Sequence, residues 1–458
     1  MRFQAKVYRI NKGKSSHHAY LAIIRRSFVN KLKLKERDGI LVGLNEDKFP
    51  SVIRKHGSQR FMYSFTVPRK IGEELELKTD ITFHLISKNI RIRDGQRNKH
   101  INLLSVVPEK TVNGNNIYVF KWKGDRLLFW IYSRGNKPFI LPKFIPLEKN
   151  NYSLMELFGF FLCEGFKARK GGEHLDRLSF SNTEIEQIKW FVNAVNSLMK
   201  IKTNEWKIQI LYPKNDDNTK ITLKNSWSKV GFLSEKISVV KNKTISAKYG
   251  VCIVNITNST LAEVFYHLME YCKSIVLNSE ENCIKALRGF SRGDVGITTN
   301  AIGFDSGDKK DVLLFKNVCK KLDVRTSELT YFRSKRGWWN VTISGRDNFE
   351  RILSIDGIKH GKRKKKLIKI FLNNKKDILH KYLKAVNNGF KTSKEVAKAL
   401  NLSIITTRFY LSRLRKEKYL IGKVIDKKGK IYHSLTKKGI DKLNFYQLLE
   451  NELKGDKM

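Results

Sequence analysis

Apolar residues fill almost every position of Leu154-Met155-Glu156-Leu157-Phe158-Gly159-Phe160-Phe161-Leu162-Cys163, and Glu164-Gly165 closes the run. Such a stretch predicts a helix buried on all sides. It ends at an acid, and Gly165 is expected to stop it in the left-handed conformation. A second run, Cys283-Ile284-Lys285-Ala286-Leu287-Arg288-Gly289-Phe290-Ser291-Arg292-Gly293-Asp294, has the same plan. Gly159 and Gly289 each lie five residues before their acids (164−159 and 294−289), and lacking side chains they let two helix backbones approach closely. Packed as a pair, the helices would bring both acids to one end. Two carboxylates at the negative ends of two helix dipoles call for a divalent metal.

The pattern beyond each run repeats as well. After Gly165 come a basic loop at 166–169, a strand at 177–181, an amphipathic helix at 184–199, strands near 206–212 and 249–256, and a helix at 261–272. After Asp294 come a strand at 297–304, a helix at 309–322, a strand at 338–344 and a helix at 348–353. Upstream, the segment from Ile24-Arg25-Arg26 to Lys35 matches that from Val67-Pro68-Arg69-Lys70 to Lys78, each flanked by strand-like runs. That alternation predicts half-buried strands around a short helical turn. Residues 116–122 and 127–132 predict further short strands, their aromatics read as core rather than as base-stacking groups. Pro138, Pro142 and Pro146 then break regular structure.

Near the C-terminus, Thr392-Ser393 with Glu395 behind it reads as a helix cap. A helix at 394–400, a turn at Asn401-Leu402-Ser403 and a second helix at 404–416 follow. Leu411 and Leu414 are expected to face inward with Leu400 and Leu420, leaving Thr406, Arg408, Tyr410 and Arg413 for a groove. Two short strands flank Lys427-Lys428-Gly429, a basic hairpin tip.

Leu157-Phe158-Gly159-Phe160-Phe161-Leu162-Cys163-Glu164-Gly165 and Leu287-Arg288-Gly289-Phe290-Ser291-Arg292-Gly293-Asp294-Val295 resemble the two motifs of a single-chain LAGLIDADG homing endonuclease. The run Leu178-Ser179-Phe180-Ser181-Asn182-Thr183-Glu184 is also similar to that family, and the resemblance spans roughly 139–371. It implies an α+β fold: a duplicated αββαββα core whose β saddle follows a DNA major groove, where base edges carry the full code. It implies that Glu164 and Asp294 are catalytic, metal-binding acids that hydrolyse phosphodiester bonds in both strands and leave short 3′ overhangs. Oxygen ligands suit Mg²⁺, with Mn²⁺ as a substitute. Lys167 is the nearest candidate for a supporting cation. Ile297 stands at the matching place after Asp294, and 362–366 offers further cations. Arg169 is a candidate DNA contact.

Four positions depart from the family pattern. Leu162 and Arg292 occupy the earlier acidic position of each motif, Val295 replaces the glycine after the second acid, and Ser291 makes the second helix less apolar. Impairment of the Asp294 half would give nicking. The N-terminal repeat resembles an AbrB-like swapped hairpin with both copies in one chain, making Arg25, Arg26, Arg69 and Lys70 candidates for phosphate contacts. A structural barrel with a solvated basic rim is the alternative. The C-terminal part resembles a winged helix-turn-helix, with Lys427 and Lys428 at the wing tip.

The expected domains are 1–90 (AbrB-like), 91–150 (a β-rich connector), 151–373 (the two-repeat core) and 374–458 (the winged helix). Composition sharpens the choice of partner. Ninety Lys and Arg against 43 Asp and Glu leave a formal charge of +47 over 458 residues, which points to double-stranded DNA, with RNA as an alternative, rather than to a membrane. No apolar run reaches membrane-span length, and Met1-Arg2-Phe3-Gln4 opens no signal peptide. Five scattered cysteines without a CxxC pair fit reduced thiols in an intracellular protein, with Cys163 a small packing residue. The termini lack an intein's Cys/Ser start and His-Asn end. A free-standing, monomeric, sequence-specific endonuclease is therefore expected, and a regulator or RNA-splicing maturase on the same scaffold is the alternative.

Overall fold

The N-terminal repeat folds as one closed circuit of antiparallel strands. The computed structural model describes residues 2–11, 18–56, 62–75, 81–89, 99–111, 113–132, 136–165, 176–213, 217–228, 231, 234–245, 250–333, 337–373, 379–425 and 430–454. The chain forms two units, Met1–Ile275 and Val276–Met458. In the first, β1 (Arg2–Asn11), β2 (His18–Ile24), helix α1 (Arg26–Lys31), β3 (Gly39–Leu44), β4 (Asp47–Val52), β5 (Arg54–His56), β6 (Met62–Val67), helix α2 (Arg69–Leu75) and β7 (Ile81–Lys88) build a seven-stranded sheet in the order β4-β3-β7-β1-β2-β6-β5. Only Ile53 separates β4 from β5, so one strand leaves β3 and pairs with β6 at the far edge. Ser51 bridges the crossing: its Oγ donates to Thr66 O and accepts from Thr66 N, both at 2.9 Å.

Register shows how the two copies combine. Ala22 pairs with Phe65 and Val42 with Leu85. Both pairs are 43 residues apart (65−22 and 85−42), the offset that relates Arg26 to Arg69. Equivalent strands thus meet at their own equivalent residues, as a twofold axis through the barrel requires. The core is shared: Phe3, Ala22, Val29, Val42, Phe65, Leu75 and Phe83 form a single buried cluster.

The connector adds β8 (His100–Asn102), α3 (Leu103–Val106), β9 (Ile117–Lys121), β10 (Arg126–Ile131), β11 (Phe139–Pro142) and β12 (Phe144–Pro146), with β11-β10-β9 as a meander and β8 paired to β12. Its aromatics serve packing, as their alternation predicts: Tyr118 and Phe120 are buried against Leu41 and Val52 of the barrel. Gly39 is needed there, since a Cβ would lie 2.3 Å from the Tyr118 ring. β13 (Glu148–Lys149) and β14 (Tyr152–Ser153) are joined through Asn150 and Asn151, at φ 50° and 65°, the tight hairpin geometry asparagine tolerates. That hairpin delivers the chain to the first motif helix.

This helix, α4 (Leu154–Glu164), is buried at every residue from Leu154 to Leu162, as an all-round apolar pattern requires. β15 (Leu178–Asn182), α5 (Ile185–Met199), β16 (Lys207–Tyr212), α6 (Asp217–Ser228), β17 (Ile237–Lys241), β18 (Val251–Ile256) and α7 (Ser259–Ile275) complete the unit, the sheet running β15-β18-β16-β17. The pair β16–β17 is parallel, and parallel neighbours need a crossover. Helix α6 supplies it by burying Leu223 and Trp227.

The second unit opens with the other motif helix, α8 (Glu280–Arg292), capped by Ser279 Oγ. It continues through β19 (Val295–Ile297), β20 (Ala301–Ser306), α9 (Lys309–Lys321), β21 (Thr330–Phe332), β22 (Trp338–Ser344), α10 (Arg346–Ser354) and α11 (Gly361–Asn373), with an antiparallel sheet β19-β20-β22-β21. The expected single strand at 297–304 is two strands, because Thr298 and Ala301 close a turn on each other through backbone and Oγ1 bonds. The basic run at 362–366 follows α10 and lies in the first turns of α11. The aromatic core of the first motif recurs. Phe160, Phe180 and Phe191 pack with centroids 3.9–6.4 Å apart, and Phe290, Phe304 and Phe315 occupy the same places at 4.6–5.4 Å.

Beyond α11 stand α12 (Leu379–Asn387), α13 (Ser393–Leu400), α14 (Ile404–Lys416), the hairpin β23 (Leu420–Val424) and β24 (Ile431–Leu435), and α15 (Lys437–Lys454). Thr392 and Glu395 form a reciprocal capping box, and Ser403 caps α14. Leu411, Leu414 and Leu420 join Tyr382, Val396 and Leu443 in one core. Helix α15 returns to α11: Tyr446 stacks on Phe371 at 5.8 Å and Arg346 Nη2 donates to the Tyr446 hydroxyl at 2.9 Å. Lys364 reaches Asp356 at 3.0 Å and Glu452 at 2.5 Å. Burial pushes the Asp356 carboxyl up, but its bonds to Lys359 and Lys364 outweigh that and hold it below the usual range.

His433 of β24 is buried and, among the described residues, its Nδ1 has no hydrogen-bond partner. Burial, and then Arg415, push its pKa down to about 4. The ring is neutral when folded, so between its ordinary pKa near 6.5 and about 4 the unfolded chain takes up the proton first, and stability falls with pH. The expected loss is ~2–3 kcal/mol by pH 4. Thermal unfolding of wild type and His433→Leu between pH 7 and 4 checks this. The variant should lose that part of the slope.

Candidate functional site

Glu164 is the last residue of α4 and half-buried. A carboxylate there faces the negative end of the helix dipole, so it needs hydrogen-bond donors or a cation. One donor is Asn182 at the end of β15, whose Nδ2 lies 3.1 Å from Glu164 Oε1. The Asn182 Oδ1 accepts the Glu184 N–H at 2.8 Å, which fixes the amide so that its NH₂ faces the acid. Asn182 lies in the 178–184 run, where sequence reasoning gives it no role. Its signal is the Asn-x-Glu turn ahead of a helix, which reads as a cap until the tertiary contact is known.

Gly165 corrects one expectation. It is extended (φ −74°, ψ 147°) rather than left-handed, and it forms a bridge to Phe180. Glycine is required by space instead: a Cβ would sit 2.2 Å from the Phe161 ring and 2.5 Å from its carbonyl. Cys163 donates from Sγ to Gly159 O at 3.4 Å, a packing role. The other four cysteines are buried with their thiols pushed up by burial, Cys283 to about 11.

In the second unit Asp294 follows Gly293, the residue after α8, and is exposed. Val295 takes the place of Gly165: it pairs with Phe304 as Gly165 pairs with Phe180. Ser306 takes the place of Asn182. Its Oγ accepts the Asp308 N–H at 3.2 Å, preserving the turn ahead of the helix, but a hydroxymethyl group is shorter than a carboxamide. The C-terminal end of α8, whose last turn contains Gly289, is met by a cation that sequence reasoning locates only as part of a charge run. Arg363 of α11 donates from Nη1 to Ser291 O at 2.7 Å, and the Lys359 N–H donates to Ser291 Oγ at 3.1 Å.

The remaining candidates are spread over separate surfaces. Arg25, Arg26, Arg69 and Lys70 are exposed around the starts of α1 and α2, and Arg69 pairs with Glu73 at 2.7 Å. On α14, Arg408 and Arg413 are exposed, Arg413 held to Glu417 at 2.7 Å. Thr406 is half-buried. Tyr410, placed outward by the sequence pattern, is half-buried with its ring 5.3 Å from that of Tyr382. The outward face instead carries Ile405 (81% exposed) and Phe409 (65%) beside Arg408, which a rule that sends large apolar residues inward misses. Lys167, Arg169, Lys427 and Lys428 lie outside the described residues. Among the described residues no three His, Cys, Asp or Glu side chains cluster as metal ligands, and no helix is long and apolar enough to cross a membrane.

The family described as FaeA-like protein matches residues 374–445. No curated protein matches the chain. Solved structures similar to it include mesophilic variants of the homing endonuclease I-DmoI (14% identity over 44% of this chain and 93% of that one, TM-score 0.29). The N-terminal LAGLIDADG domain of DUF199/WhiA (9%, 46% and 84%, 0.27) is another. Full-length DUF199/WhiA from Thermatoga maritima (12%, 57% and 89%, 0.26) is a third.

Proposed function

We propose that this chain is a sequence-specific, metal-dependent DNA endonuclease of the LAGLIDADG homing type, acting as an intracellular monomer, with Glu164 and Asp294 as its catalytic acids. The observation that carries the reading is the repeated plan. One helix ends at Glu164 and the other two residues before Asp294. The residue after each acid pairs with the matching position of the next strand, Gly165 with Phe180 and Val295 with Phe304. Each helix contributes a phenylalanine to an equivalent aromatic trio. The Glu164 carboxylate, oriented by Asn182, and the exposed Asp294 carboxylate are each hard oxygen donors of the kind Mg²⁺ or Mn²⁺ takes. Such an ion, when bound, activates water and offsets charge on the leaving oxygen.

The chain's own residues do the rest. Glu164 is held in place by the Asn182 amide, and Arg363 places positive charge at the end of α8. Lys167 is retained as a proposed supporting cation. Phosphate contacts are proposed for Arg25, Arg26, Arg69 and Lys70, phosphate or minor-groove contacts for Lys427 and Lys428, a DNA contact for Arg169, and groove contacts for α14 of the winged helix. Incubating the protein with a randomised DNA library, with Mg²⁺ or with EDTA, tests the reading. Discrete double-strand breaks in Mg²⁺ alone are expected, and their absence with every divalent ion tried would sink it.

A second reading, a nicking or non-cutting DNA-binding protein, is favoured by Ser306 and Val295, which make the Asp294 half unlike its counterpart. If positioning matters, Asn182→Ala slows cleavage of one strand ~10–100-fold with binding retained, the range for ligand-orienting groups. Strand-resolved gels would show an unchanged ratio of the two cuts if Asn182 has no such role.

A further inference from the structure

We propose that the seam between the barrel and the connector binds a small organic carboxylate, independently of any action on DNA. A cavity of about 400 Å³ opens there, a size usual for small-ligand sites. The barrel lines it with Arg37, ahead of β3, and Arg54, at the start of β5. The connector lines it with Asn116, ahead of β9, and Tyr132, just past β10.

Arg54 is half-buried, and among the described residues no carboxylate pairs with it. A guanidinium drawn partly out of water favours an anion at its side. Its Nη2 donates to the Tyr132 hydroxyl, and the guanidinium lies 5.8 Å from the centre of that ring. The contact fixes the fork and leaves the Tyr132 O–H as a further donor. Arg37 is fixed through its backbone: its N–H donates to Ile53 O and its carbonyl accepts from the Tyr118 hydroxyl, both at 2.8 Å. It sits at φ 68°, where an L side chain is uncommon and glycine is the ordinary choice. The second repeat has no arginine at the matching point of its sequence, Leu77-Lys78-Thr79-Asp80-Ile81. The repeat by itself therefore does not call for this side chain.

Charge selects the ligand. Arg37 and Arg54 against Glu36 leave the cavity one net positive charge. That balance suits a monoanion, while Glu36 repels a phosphate dianion or the closely spaced charges of a duplex. A planar guanidinium takes a planar carboxylate through two parallel N–H···O bonds. Glu36 is left to accept an N–H of the ligand, and Val52 and the Tyr118 ring give its body apolar contact. The class so defined is a small carboxylate that also carries an amino or amide donor.

Saturation-transfer NMR on the full chain in EDTA tests this, with 4-aminobenzoate and L-glutamine as probes and 4-aminobenzamide and inorganic phosphate as controls. At least one of the two carboxylates should bind, and both controls should bind at least ~10-fold more weakly, as loss of a charge-assisted pair implies. Arg37→Gly removes the cation and suits the backbone at φ 68°, so it should keep the wild-type melting temperature and weaken binding at least ~10-fold. Arg54→Lys keeps the charge but forfeits the fork, and a similar loss is expected. Binding of neither carboxylate, equal binding of the amide, or wild-type binding by both variants overturns the inference. So does displacement of the bound carboxylate by an equimolar blunt duplex, which would give these cations to DNA phosphate instead. None of these outcomes depends on whether the chain cuts DNA.

Discussion

Glu164→Gln and Asp294→Asn each lower double-strand cleavage by on the order of 10²–10³-fold, the scale on which removing one preorganised charge-stabilising group acts. Both substitutions keep shape while removing a negative charge, so DNA should still be bound. The two need not be equal. Glu164 has an amide bonded to it, and its counterpart is followed by the shorter Ser306, so each variant should spare a different strand to a different degree. Denaturing gels with each strand labelled separately read this directly. If one variant cuts both strands at the wild-type rate, that acid has been wrongly assigned.

Tyr446→Ala destabilises the second unit by ~3–5 kcal/mol, the range for truncating a buried aromatic. Tyr446 is 1% exposed, its ring lies on Phe371 and its hydroxyl accepts from Arg346. Tyr446→Phe keeps the ring and forfeits the hydrogen bond, so it should cost only ~1–2 kcal/mol. Urea unfolding of the three proteins separates the terms. The same contacts bear on truncation. A chain stopped after residue 373 lacks α15, which covers Phe371 and supplies Glu452 to Lys364. Loss of cleavage on truncation would then report lost stability as well as lost DNA contacts. Equal cost for the Ala and Phe variants would show that the packing at Phe371 contributes little.

The elements legible in advance were those whose cause is local. The all-apolar run before Glu164 could only be an enclosed helix, and Thr392 with Glu395, like Ser403, announced helix starts through side chains that bond their own backbone. Elements fixed by distant partners were not legible. Helix α6 has a weak apolar face and is defined by the parallel pairing it enables between β16 and β17. Gly165 was assigned to the wrong constraint because a close ring, not a left-handed backbone, excludes a side chain there. Asn182 looked like a turn residue until its second bond, to an acid 18 positions earlier, was seen. Tyr410 is expected to face outward because helical spacing alone does not show that its ring meets Tyr382, and the exposed ring is that of Phe409.

The pairing of Ala22 with Phe65 and of Val42 with Leu85 has a consequence for folding. Each copy of the repeat lends its strands to the other, so neither encloses an interior by itself. A fragment holding only one copy would have to recruit a second molecule, making its folding depend on concentration. Tethering the copies removes that dependence and frees them to diverge, which is how Ala22 can stand where its twin has Phe65.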